Sequence, residues 1–369
     1  MTTSLQRTDT TTPGTARPSS SLTAGRLAPW APWALLGASL ATSFTVFALG
    51  AIGGDPADFN IAGAAIVGVL IYMVLITVVS SIAESRRKAV DRLMTALVSA
   101  AFVVALLPLI SLLWTVVTNG VSRFDAEFFS YSMRNIVGEG GGIVHAIWGT
   151  VLVTLTATVI AVPVGLMTSI YLVEYGRGRI AKGITFLVDV MTGIPSIVAG
   201  LFIYSVFALL VRPGISMGLM GALALAVLMV PVVVRGSEEL LRIVPNELRE
   251  ASYALGVPKW LTILKIVLPT SIAGITTSVM LAISRVIGET APLLLTAGFT
   301  ASLNTNLVNS QMMTLPVFVY NSYMNQGTAA DASVARAWAG ALTLILIVML
   351  LNLLARLIAK WFAPKTAGR

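Results

Sequence analysis

The sequence predicts an all-α polytopic membrane protein, and three observations lead there. Mean hydropathy is +0.89 over 369 residues. Only 11% of those residues are charged, against about a quarter in an ordinary soluble domain. The positive charges fall in short runs between apolar stretches long enough to cross a bilayer, which takes roughly 20 residues of helix. Lipid leaves no backbone group free to bond water, so such stretches must be helices. Runs such as 219–234 are too long and too uniformly apolar for the alternating strands of a barrel.

The same composition excludes several chemistries. Cysteine is absent, so there is no disulfide, no thiolate and no cysteine-held metal. A single histidine leaves neither a His-rich metal site nor a Ser-His-Asp triad. No GxxxxGK[ST] occurs, so ATP has no phosphate loop in this chain. The reading is therefore a non-enzyme without cofactor or metal. Basic runs without interleaved aromatics argue against a nucleic-acid partner; they orient the chain in membrane lipid instead.

Residues 1–28 are rich in Ser, Thr and Pro and read as a disordered tail. Eight spans follow, at 29–52, 61–82, 93–117, 143–173, 184–211, 214–234, 270–298 and 337–361. The first two, joined by the short acidic link 55–60, make an additional hairpin at 29–83. With the N-terminus inside, 19 of the 24 Lys and Arg residues fall on the cytoplasmic side and 4 outside, with Arg285 left in the membrane. That excess places both termini in the cytoplasm.

Within the spans, Pro163 and Pro231 read as kinks. His145 reads as a hydrogen-bonded interfacial histidine, and Asp189 as a carboxylate with a structural partner. Gly193, Pro195 and Gly200 would break or loosen the fifth span in mid-membrane. Such a break either lines a cavity or permits close helix packing. Arg285 and Glu289 stand four apart, on one face of an expected helix. They form either a mutually neutralising pair or a cation offered to a passing anion, with the carboxylate holding it. Gly288 and Pro292 beside them point to irregular backbone and favour a translocation pathway. Arg235, at the cytoplasmic mouth of the sixth span, is either an anchor or the anion's exit.

Between the sixth and seventh spans lies a charged loop. Asn246 is the expected N-cap of a short helix, and Glu247 sits in its first turn. Ala251, Ser252 and Ala254 are small enough for another surface to approach. Gly256 followed by Pro258 stops the helix. Glu250-Ala251-Ser252, then three residues, Gly256, nine residues and Ile266-Val267-Leu268-Pro269 resembles the EAA loop of bacterial ABC importer permeases. That resemblance implies a coupling loop, 235–269, whose helix docks on a cytoplasmic ATPase through Glu250, Ala251, Ser252 and Gly256.

Three further runs sharpen the likeness: 141–150, 193–202 and Arg285-Val-Ile-Gly288-Glu289-Thr290-Ala291-Pro292. They are similar to the phosphate-specific ABC importer permeases, with Gly-Glu-Thr-Ala-Pro-Leu-Leu resembling the PstA-type subunit rather than its partner. The likeness covers about 93–363, a six-span core, and the first two spans depart from it. It implies a permease transmembrane domain over 84–369 in a bacterial inner membrane. It also implies a PstC-type sister permease, a dimer of ABC ATPases that performs hydrolysis, and an extracytoplasmic phosphate-binding protein. Phosphate would enter by alternating access. The alternatives are a permease for another oxyanion such as sulfate or molybdate, or a non-transporting sensor or scaffold of phosphate signalling.

Overall fold

A computed structural model describes residues 27–50 and 59–362. The expected tail, apart from residues 27 and 28, and most of the link 55–60 lie outside the described residues. Among the described residues there are fourteen α-helices and no strand. Seven helices are long and apolar enough to cross a membrane, and one bent pair of helices raises the number to as many as eight.

The chain divides into two units, with the boundary at Leu112 and Leu113. In the first, α1 (Ala31–Gly50) packs beside α2 (Ile61–Ala83) through small residues. Ser43 donates to the Ala64 carbonyl at 2.6 Å, and Gly68 meets Leu40. Asn60 caps α2 by accepting from the Gly63 N–H. Glu84 closes α2 and accepts from Arg92, the Leu27 N–H and Ser80. The Arg92 bond, aided by those of Leu27 and Ser80, holds the Glu84 carboxyl down at about 2. α3 (Arg86–Gly120) follows and runs across the boundary.

In the second unit a 3₁₀ turn (Val121–Arg123) leads into α4 (Ala126–Ser130), capped by Asp125. The Phe128 N–H, with Arg123 close by, holds the Asp125 carboxyl below its ordinary value. The core is the seam between α5 (Val144–Ile170) and α8 (Gly218–Ile243). Ala146, Val153, Ala157 and Ala161 of α5 face Ala222, Leu225, Ala226 and Met229 of α8, all buried. Small side chains let the two backbones come close, and dispersion contacts do the holding where lipid removes most of the hydrophobic drive. α11 (Leu268–Val286) packs on α8 and on α14 (Ala330–Phe362), and α13 (Leu315–Met324) lies on α14.

Two spans are interrupted where glycine and proline stand, and one expectation, for His145, needs correction. The fifth span is not one helix: α6 (Gly178–Thr192) and α7 (Ser196–Leu210) meet at 109°. Gly193 closes α6, and Pro195 brings no N–H and bars its predecessor from helical geometry. The seventh span likewise stops at Val286 and resumes only as the short α12 (Ala291–Thr296), with Pro292 in its first turn. His145 is buried against the edge of Phe318, and neither ring nitrogen has a hydrogen-bond partner among the described residues. Pro163 and Pro231 sit inside continuous helices.

Candidate coupling segment and membrane pathway

The loop expected to couple is a helix–turn–helix. α9 (Asn246–Ala254) is followed by α10 (Lys259–Thr262), which continues through a π-helical turn, Ile263–Val267, into α11. Asn246 is the first helical residue rather than the cap, a place taken by Pro245; its side chain accepts from Arg249 instead. At the other end Gly256 has φ +77°, its N–H bonds to the Tyr253 carbonyl, and the Val257 N–H bonds to that of Ser252. This is a Schellman ending, which needs a residue free of Cβ strain at that position.

The four expected coupling residues do not share one face. Glu250, Ala251 and Gly256 are exposed, together with Tyr253 and Leu255. Ser252 is buried, and its hydroxyl is 2.8 Å from that of Thr262. Its small size thus serves the approach of α10, not of an outside surface.

A residue missed in the sequence anchors the segment. Arg249 of α9 reaches Glu174, which lies in the π-helical turn Tyr171–Tyr175 ending α5. The ion pair is 2.9 Å long, with side chains 12% and 5% exposed. The same guanidinium donates to the carbonyl oxygens of Leu241 and Val244 at the end of α8. Lys259 of α10 joins by donating to the Glu174 carbonyl and lies over the Tyr175 ring. One guanidinium therefore joins α9 to the ends of α5 and α8. No spacing in the sequence connects positions 174 and 249.

In the membrane region the break after Val286 separates Arg285, in the last turn of α11, from Glu289. Their assignment to one helical face is corrected: the helix ends between them, and no ion pair joins them among the described residues. Arg285 is exposed and Glu289 half-buried. Arg235 is placed otherwise. It bonds Asp189 of α6 and, at 2.9 Å, Glu238, which in turn accepts from Arg242 at 2.7 Å. Asp189 thus has the structural partner expected of it. A cavity of about 360 Å³ opens beside this network, lined by Lys182, Asp189, Glu238 and Arg242 among others. Of the expected hinge residues, Gly200 packs directly on Pro292, where an added Cβ would stand 2.7 Å from the Pro292 Cα. Gly193 and Gly288 meet no such obstacle.

The fold defines a class, the multi-pass helical membrane protein, and comparisons with known proteins narrow it. A profile of the family described as "binding-protein-dependent transport system inner membrane component" matches residues 161–368. The chain is 46% identical over 279 residues to the phosphate transport system permease protein PstA 1 of Mycobacterium tuberculosis (strain CDC 1551 / Oshkosh), covering 74% of this chain and 90% of that protein. It is 40% identical over 293 residues to the PstA of Yersinia pestis, covering 78% and 96%. The inward-facing MetNI methionine ABC transporter shares the fold, with a TM-score of 0.50 and 18% identity over 60% of this chain and 96% of that one. The chain belongs to the binding-protein-dependent transport system inner membrane components, the permeases of ABC transporters, and within them to the PstA type.

Proposed function

We propose that the chain is the subunit through which an ATP-driven importer passes inorganic phosphate into the cytoplasm by alternating access. The similarity to PstA permeases over nine-tenths or more of their length carries this reading. In it, ATP is hydrolysed by a separate ATPase dimer, a PstC-type permease completes the pathway, and an extracytoplasmic protein delivers phosphate. Both termini are cytoplasmic. Residues 1–28 form a tail, 29–83 an accessory hairpin, and 84–369 the transport domain with its coupling loop at 235–269.

The geometry supports a division of labour. The exposed face of α9, with Glu250, Ala251 and Gly256, docks in the ATPase groove. The Arg249–Glu174 pair and the Ser252–Thr262 bond pass its displacement to α5 and α11. Arg285 offers phosphate two parallel donors, free of any carboxylate among the described residues. Glu289 flanks it across the helix break and keeps the anion from staying. The close Gly200–Pro292 contact lets α7 and α12, the two broken elements, move as one. Arg235, already held by Asp189 and Glu238, belongs to the cytoplasmic scaffold.

Uptake of labelled phosphate by a strain lacking its own importer tests this. Wild type should restore uptake, and Arg285→Gln should abolish it while the ATPase still co-purifies. Restored uptake in the double variant Arg285→Gln, Glu289→Gln would make the two a structural pair and sink the pathway role. Uptake of sulfate but not phosphate by wild type would sink the substrate assignment.

A further inference from the structure

At the far end of α5 from Glu174, the protein buries an arginine without a counter-charge. Arg336, in the second turn of α14, is 6% exposed. Its Nη1 donates to the carbonyl oxygens of Gly138 and Gly140, at 2.7 and 3.0 Å. Its Nε is buried and bonds nothing, and no carboxylate lies within ion-pair distance among the described residues. The other half-buried or buried arginines are treated differently. Arg249 has Glu174, Arg92 has Glu84, Arg123 has Asp125 and Glu127, and Arg235 has Asp189 and Glu238. Arg123 also donates to the Gly141 carbonyl, so two guanidiniums hold one glycine loop. Asp125 and Glu127 answer Arg123, Glu139 in the loop is exposed, and none of the three is within ion-pair distance of Arg336. Burying an unpaired cation costs several kcal/mol unless something supplies the opposite charge.

Beside Arg336 is a cavity of about 250 Å³. Thr300, Asn321 and Ser322 bring it hydroxyl and amide donors, and Asn325 and Gln326 each keep one amide N–H beyond their bonds to Asn321 and Tyr323. Ser333 spends its hydroxyl on the Ser322 carbonyl, and no Asp or Glu lines the cavity. Buried positive charge, neutral donors and excluded carboxylates are what a tetrahedral oxyanion requires. We propose that this cavity binds a phosphate group through Arg336, at a site separate from Arg285. The group is either free inorganic phosphate or the phosphate of a lipid headgroup, which present the same oxygens. The inference does not depend on phosphate being the transported ion.

The test is thermal unfolding of the full chain, with whatever partners co-purify, in a phosphate-free maltoside detergent. Inorganic phosphate is titrated against chloride at equal ionic strength. Wild type and Arg285→Gln should show a saturable rise in Tm, because a ligand of the folded state stabilises it by mass action. Arg336→Gln should lose the rise. If that variant does not fold, Asn321→Asp still decides: it puts a carboxylate into the cavity, so Tm without phosphate should rise and the phosphate response should vanish. Anionic phospholipid carried through delipidation by wild type, and missing from Arg336→Gln or Asn321→Asp, would assign the headgroup as the source. No phosphate shift together with no variant-dependent lipid overturns the site. So does a wild-type response in Arg336→Gln or in Asn321→Asp. Because Arg285→Gln keeps this response while losing uptake, failure of the pathway and failure of this site read out separately.

Discussion

Arg249 commits its donors to one junction, and removing it exposes how much that junction matters. Arg249→Met leaves the buried Glu174 carboxylate with only the longer Lys259 ion pair, at 4.0 Å, which should cost about 3 kcal/mol, the low end for losing one member of a buried pair. Adding Glu174→Gln should return much of that stability, because the stranded charge is gone, while uptake stays low because α9 is no longer tied to α5. Thermal unfolding in detergent and phosphate uptake, measured on the same two variants, check both halves. Glu84 gives a pH dependence of defined sign. Its carboxyl is held at about 2 in the folded chain against an ordinary 4.5, so the folded state prefers it charged. The stabilisation is complete above about 4.5 and disappears as the pH falls toward 2. Unfolding of wild type should become easier across that window, and Glu84→Gln should remove this part of the acid sensitivity. Neither residue stood out in the sequence. Arg249 has two carboxylates, Glu247 and Glu250, within a turn, and its true partner is 75 positions away. What could be read was the chemistry of motif residues such as Gly256, whose role is set by the backbone within a few positions of it.

At the level of elements, breaks mattered as much as helices. The kink at Gly193-Ile194-Pro195 was visible because proline acts on its own backbone, although hydropathy alone still ran the span through from 184 to 211. At the end of α11, Gly288 and Pro292 signalled irregular backbone, but not that the helix stops at Val286, before either of them. Glycines at these breaks are not equivalent. Gly200→Ala forces a Cβ against Pro292 and should cost about 1–3 kcal/mol by overpacking. Gly288→Ala enters open space and should cost less than about 0.5 kcal/mol. Gly256→Ala also meets no neighbour, yet at φ +77° it should cost about 1–2 kcal/mol from backbone strain alone. Unfolding of the three variants side by side separates crowding from strain. An equal loss at Gly200 and Gly288 would count against direct packing of α7 on α12.

For the molecule as a whole, the run of apolar segments and the family were legible from composition and the Glu250-to-Pro269 spacing. The cavity at Arg336 was not, because it is assembled from the 133–136 loop, residues 299–301, α13 and α14, which no local pattern joins. Orientation is open to a clean test, since the chain has no cysteine of its own. A cysteine at position 250 should react with an impermeant maleimide only from the cytoplasm, and one at Asn325 only from outside. Reaction of both from the same side would overturn the proposed topology. α3 carries a consequence of another kind. Its charge-free stretch, 93–117, is about 37 Å long as a helix, while the hydrocarbon slab it must cross is about 30 Å thick. Such a helix leans, or the lipid around it stretches, and either adjustment stores a little elastic energy. α1, at about 30 Å, carries no such excess. Acyl-chain length thus bears unequally on two helices of one polypeptide: thicker membranes relieve α3 and begin to stretch α1.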